Sequence, residues 1–328
     1  MKVGRTVDAL KRRGIDAALV DPVHARLRDF DLVHLFAPYN GNHRVVEQAA
    51  SDGVPVVMST ILNPPFTRWE GIKARLLTRL VGRLTHYQVT TSYQQMVTAM
   101  TLARRLIVLG GIERTMLIEG YGMPADKIVT VHNGIGAEFF HATPEAFETA
   151  YKIPHPFVLH TGLIGDVKNQ LGLIRALKND AVDIVLIGYC GKENEAYLRA
   201  CLDEGGKRVH YLAELPHGPM IASACAAADM IAIPSRHEGM PNSILEALAS
   251  DKPVVLTDNH TMDFDLPTNV AREVHADDLA AIGNAVRSLL ANPPPKGAAR
   301  ATVATMSWDR VAEQLEAIYN DALVPIAA

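Results

Sequence analysis

In the stretch Pro234-Ser235-Arg236-His237-Glu238-Gly239-Met240-Pro241-Asn242-Ser243-Ile244-Leu245-Glu246-Ala247-Leu248-Ala249, two carboxylates, Glu238 and Glu246, stand eight positions apart. The apolar run Asp229–Ile233 before them predicts a buried strand, and Ile244 to Ala249 predicts a helix start. Between the two lies a tight Gly/Pro loop. One acid then sits on the loop and the other in the first helical turn. A helix start offers unpaired N–H groups and the positive end of a dipole, which suit a phosphate. Acids beside it can accept hydrogen bonds from hydroxyls. Ser243 to Glu246 also fits a capping box, in which the glutamate would serve only the helix N-terminus.

Short apolar runs alternate with longer helical patterns along the whole chain, the signature of parallel α/β layers. In the first half the strand candidates are Asp16–Val20, Asp31–Phe36, Val54–Ser59, Arg105–Leu109 and Lys127–Val131. In the second half they are Phe157–Thr161, Asp183–Ile187, Arg208–Leu212, Asp229–Pro234 and Pro253–Thr257. A Pro-punctuated polar stretch, Tyr151 to Pro156, separates the two series. A length of 328 residues suits two domains, on a prior of roughly 150 residues each. The expected division is 1–153, 154–305 and a last helix at 306–328.

The Glu238/Glu246 stretch resembles the Glu-x7-Glu motif of retaining glycosyltransferases of family 4, the glycosyl transferases group 1, which have the GT-B architecture. Four further segments agree in order: Val131–Ile135, Gly162–Asn169, Leu212–Leu215 and Ser307–Ala312. The resemblance implies two doubly wound Rossmann-like domains facing a cleft, with the last helix crossing back to the first. It implies transfer of a hexosyl or other sugar from a nucleoside-diphosphate sugar to an acceptor hydroxyl, with no cofactor and no metal. Lys168 and Glu238 would then be catalytic. Gly162, Asn169, Leu212, Glu214, Gly239, Met240, Pro241, Asn242, Ser243 and Glu246 would bind the donor. Glu246 would hold the ribose, Glu238 the sugar hydroxyls, Lys168 the diphosphate, and Leu212 to Leu215 would pass the base.

Two departures from the family pattern bear on activity. Leu163 stands where the family has an arginine, a bidentate phosphate partner. The family's opening strand and glycine loop have no counterpart before the helix at Val7–Arg13. A start assigned too late, a truncation or a loss of activity would each account for that, the first being favoured. Two other functions stay open: a degenerate GT-B protein that binds donor without transfer, and a GT-B sugar-nucleotide epimerase. Phe36 occupies the place of the family's second histidine, so that contact is not carried over, and His34 itself is expected to be a packed strand residue.

A net charge of −4 gives no reason to expect nucleic-acid binding. Cys190, Cys201 and Cys225 form no CxxC pair, and no signal core or membrane-length apolar run is present, so a cytoplasmic setting is expected. The triplets at Asp29–Asp31 and Asp263–Asp265 are weak as metal signatures, since such pairs arise easily by chance. Residues 68–84 combine Lys73, Arg75, Arg79 and Arg83 with leucines at helical spacing. That pattern fits a helix on an anionic membrane surface; the plainer expectation is a surface helix that buries its leucines in the N-terminal domain.

Overall fold

The computed structural model describes residues 2–21, 24–62, 66–86 and 89–324. The chain packs as two compact units. The first runs to Gly134 and includes 261–263 and the chain from Trp308 onward; the second holds 135–260 and 264–307. The division therefore falls before the Pro-punctuated stretch, not within it. The cause is the short helices Ala137–Phe140 and Glu145–Tyr151, which bury Phe139 and Phe147 in the second unit. Such burial contributes roughly 1.5–3 kcal/mol per ring. Ser223 Oγ fastens the same segment, accepting from Phe147 N–H and donating to the Thr143 carbonyl.

The first unit contains four parallel strands in sequential order: β1 (Val33–Phe36), β2 (Val56–Ser59), β3 (Arg105–Val108) and β4 (Ile128–Thr130). Strands wound one after another in a single direction place their right-handed crossovers on one face. The residues sort accordingly. Val56, Met58, Leu106 and Val108 point toward the crossover helices, whereas Val57 and Ile107 point the other way. The second face is closed by helices Lys2–Arg12 and Trp308–Leu323, through Ala9, Leu10, Val311, Leu315 and Ile318. Arg12 pairs with Asp309 at 2.7 Å across those helices.

Residues 16–20, expected as a strand, form none. No strand among the described residues pairs with them, and an unpaired extended segment leaves its N–H and C=O groups to water. Leu19 is accordingly 66% exposed. His34 is the packed strand residue expected: Nδ1 lies 2.7 Å from Tyr319 Oη and Nε2 3.0 Å from Ser59 Oγ. Burial, with a smaller contribution from Lys2, lowers its pKa to about 3.

The second unit has six parallel strands: β5 (Phe157–Thr161), β6 (Asp183–Ile187), β7 (Val209–Tyr211), β8 (Met230–Ile233), β9 (Val254–Thr257) and β10 (Ala271–Val274). Their order is β10-β9-β8-β5-β6-β7. The winding direction reverses between β5 and β8, and in such sheets ligands bind outside the carboxyl ends of the strands at that reversal. The central strands are buried along their whole length, as a sheet covered on both faces requires. β10 is an edge strand carrying Arg272 and Glu273, so its sequence lacks the apolar run that marks the others.

At the end of β6, the backbone of Gly188 lies so close to Gly162 that a Cβ would run into the Gly162 carbonyl oxygen. Gly162 itself has φ +150°, outside the range of ordinary side chains. Gly188→Ala should therefore lower stability by about 1–3 kcal/mol, the usual cost of overpacking. An unchanged thermal unfolding midpoint would contradict this close approach.

Candidate active site

The loops that follow β5 and β8 meet at the reversal of the second sheet. After β5 the chain turns through Gly162 and enters a short 3₁₀ turn, Asp166–Lys168. Lys168 Nζ there lies 2.6 Å from Glu238 Oε1, on the loop after β8. Ser235 Oγ donates to the same oxygen at 2.7 Å. Glu238 N–H donates to the Asn259 carbonyl, and Asn259 Nδ2 donates back to Arg236 O, so the loop after β9 braces the acid. Glu238 is buried, yet its charge meets a cation and a hydroxyl, which offsets the cost of desolvating it.

Glu246 is the second buried carboxylate, and its Oε1 lies 2.7 Å from His217 Nε2. It belongs to the second turn of helix Asn242–Ala249, which starts two residues earlier than the sequence implied. The capping box is absent. Pro241 occupies the N-cap, with no side-chain cap. Ile244 and Leu245 N–H both donate to Pro241 O, whereas the N–H groups of Asn242 and Ser243 have no partner among the described residues. Asn242 Oδ1 is buried and likewise unpartnered. The helix start thus presents free donors and one free acceptor between two acids.

Other predicted residues have different parts. Asn169 is buried in the left-handed region, φ +56°, and its amide donates to Pro234 O and Ala276 O. It clasps two loops together instead of offering a donor to a ligand. Leu212 N–H extends the pairing of β7 with β6, and Glu214 is exposed just beyond it. Met240 and Pro241 are buried, Gly239 and Ser243 half-buried. Leu163 projects outward, 62% exposed, and Val167 beside it is 59% exposed. Asp263, in the second Asp triplet, accepts from Gly111 N–H and lies 2.9 Å from His132 Nε2.

Three contributors escaped the sequence reading. His217 lies on the loop after β7, whose placement beyond a strand's carboxyl end was the available signal. Arg236 is clamped by Asp166 at 2.8 Å and Asp277 at 2.6 Å, and these hydrogen bonds, Asp166 first, push its pKa upward. It ties the loop after β5 to the loop after β8, which Arg236 N–H also joins by donating to Val167 O. His160, fully buried on β5, lies with Nε2 3.2 Å from the Lys168 carbonyl. A carbonyl only accepts, so Nε2 carries the proton, and Nδ1 is left without a partner among the described residues.

With this geometry in view, the comparisons are direct. Residues 155–292 match the family described as glycosyl transferases group 1. The matched stretch, 261–263 aside, lies within the second unit, which is thus similar to that family. Two curated relatives align: D-inositol 3-phosphate glycosyltransferase 1 of Catenulispora acidiphila, 25% identical over 67% of this chain and 58% of its own length; and O-antigen chain mannosyltransferase B of Escherichia coli, 26% identical over 47% and 43%. The chain spans about half the length of these relatives. Among solved structures, Anabaena HepE in complex with UDP superimposes with a TM-score of 0.71 at 16% identity, covering 90% of this chain and 79% of HepE. That likeness gives the chain the GT-B fold with its two parallel sheets.

Burial lowers the pKa of His160 to about 4 from 6.5, chiefly by desolvation. The unfolded chain therefore takes up this proton first, and the fold loses stability as pH falls from about 6.5 toward 4. Between pH 7 and 5, His160 alone should cost about 2 kcal/mol. Denaturant unfolding at both pH values should show a correspondingly smaller loss in His160→Gln. Equal losses in the two proteins would contradict a buried neutral imidazole.

Proposed function

We propose that the chain is a retaining glycosyltransferase moving a sugar from a nucleoside-diphosphate sugar to an acceptor hydroxyl in glycan or glycolipid synthesis. The observation that carries this reading is the pair of buried, braced carboxylates flanking an uncapped helix start at the reversal of the second sheet. Such a start attracts a phosphate, its dipole contributing roughly 0.3–2 kcal/mol. In this reading Asn242 and Ser243 N–H groups and Lys168 take the diphosphate. Glu246, oriented by His217, accepts from the ribose hydroxyls. Glu238 accepts from the sugar, Gly239 lets the sugar approach, and Leu212 to Glu214 border the base. HepE, similar in fold, is seen in complex with UDP, which favours a nucleotide-bearing donor here too.

No acid is assigned as a covalent nucleophile. The proposed step is a same-face displacement: the bond from the anomeric carbon to the leaving diphosphate breaks as the acceptor oxygen bonds to that carbon. The acceptor proton passes to the departing phosphate oxygen. Lys168 and the helix end stabilise the negative charge that grows there. The proposal includes no metal and no cofactor, a cytoplasmic setting, an acceptor that is a glycan, a lipid-linked sugar or a small molecule, no nucleic-acid partner, and peripheral contact with the inner face of a membrane.

The outward Leu163 favours a second reading, donor binding without transfer, because the exposed side chain lends no positive charge to a leaving group. Thermal unfolding against UDP-, GDP-, ADP- and dTDP-sugars, with and without EDTA, separates the possibilities when combined with a transfer assay. A donor at 100 times its Kd adds roughly 2.7 kcal/mol to stability. A selective, EDTA-insensitive shift with sugar transfer supports the first reading, and a shift without transfer the second. An epimerised donor in the absence of acceptor overturns both.

Two substitutions test the roles. Glu246→Ala should weaken donor binding by about ten- to a hundredfold, the worth of charge-assisted hydrogen bonds. Lys168→Ala should lower kcat by roughly 10²–10³ with the fold retained. Wild-type kinetics in both would sink the assignment.

A further inference from the structure

Helix Arg68–Leu84 is built inside out. Its N-terminus is fixed by a capping box: Glu70 N–H donates to Thr67 Oγ1, and Thr67 N–H to Glu70 Oε2. The side facing the first unit is made of small and polar groups. Gly71 and Gly82 are the helix's buried residues, and Gly71 abuts the backbone of Gly120 where no Cβ would fit. Arg75 is turned inward as well, donating to Gly120 O at 3.2 Å, and so does not share the solvent face with Arg79 and Arg83. Thr78 hydrogen-bonds Thr91 at 2.8 Å.

The leucines are therefore left outside, against the plainer expectation from sequence. Trp69 is 72% exposed, Leu76 58%, Leu77 56%, Leu80 56% and Leu84 73%. At 3.6 residues per turn these five fall within one sector of about 100°. Lys73 lies inside that sector and Arg79 and Arg83 along one edge, all exposed. The acid on the helix, Glu70, is held in the cap, and its hydrogen bonds to Thr67 lower its pKa.

We propose that this face docks on an anionic lipid bilayer, with Trp69, Leu76, Leu77, Leu80 and Leu84 entering the boundary of headgroups and acyl chains while Lys73, Arg79 and Arg83 meet phosphate headgroups. This deepens the peripheral-contact part of the function proposed above and is independent of sugar transfer. Charge selects the occupant. A contiguous apolar strip with cations within and beside it suits an anionic interface, and tryptophan favours that depth. A second copy joined two-fold through this face would bring Lys73, Arg79 and Arg83 against their own counterparts.

The test is sedimentation of the full chain with vesicles containing about one-third phosphatidylglycerol, against pure phosphatidylcholine vesicles. Binding to the anionic vesicles, weakened by salt, with a blue shift of tryptophan emission is expected; the other tryptophan, Trp308, is buried. Arg79→Ser with Arg83→Ser should reduce binding by about tenfold or more. Leu80→Ser with Leu84→Ser should abolish the blue shift, and both double variants should keep the wild-type unfolding midpoint. No binding to anionic vesicles even at low salt would overturn the proposal, as would equal binding to both vesicle types. Dimerisation lost in the leucine variant, without vesicle binding, would overturn it in favour of a second copy. A donor-induced stability shift retained in a chain that binds no vesicles would sink the membrane surface alone and leave the sugar-transfer reading standing.

Discussion

The site depends on β5 and β8 lying side by side while their connections wind in opposite directions. Neighbouring crossovers on the same side would cover the strand ends; a reversal leaves them open. The loops after β5 and β8 then have to share one place, and the chain spends several polar side chains to keep them there. Asn169 takes carbonyls from the loops after β8 and β10, Arg236 takes carboxylates from the loops after β5 and β10, and Lys168 reaches Glu238. Each of these contacts spans dozens of residues in sequence. None exists without the sheet order, and the sheet order alone would not hold the loops.

The buried acids follow from the same logic. A carboxylate removed from water needs a partner, and taking the partner away from a fully buried pair typically costs about 3–5 kcal/mol. Glu238 is supplied with an ammonium and a hydroxyl, Glu246 with an imidazole. These partners leave acceptor capacity unused, since each carboxylate has two oxygens and the short contacts fall on Oε1. Partial satisfaction makes the acids stable enough to keep and still able to receive hydroxyls. His160 works beneath them differently, its buried ring holding the Lys168 backbone by a single hydrogen bond.

The sequence made legible what depends on local pattern. Strands such as Phe157–Thr161 and Asp183–Ile187 stand where their apolar runs begin and end, because a sheet covered on both faces has no use for alternation. Legibility failed where pairing or neighbours decide. The segment at 16–20 has strand-like residues but no strand among the described residues to pair with, and β10 has a partner but too few apolar residues to betray it. The carboxylates could be found from their spacing around a loop. His217 was marked only by its place beyond a strand's carboxyl end, because its relation to Glu246 is made by the sheet, across 29 positions of sequence.

Glycine explains why one set of rules yields opposite outcomes in the two units. At Gly188 and Gly162 the missing side chains let two backbones approach where β5 and β6 end. At Gly71 they let a helix backbone settle against Gly120, which satisfies the inner face without leucine. A helix seated by leucines would have consumed its apolar residues in the core. Seated by glycines, an arginine and a threonine, it retains them for whatever lies outside. The exposed strip on Arg68–Leu84 is thus a consequence of how the helix is held, and its cations determine which surroundings can cover it.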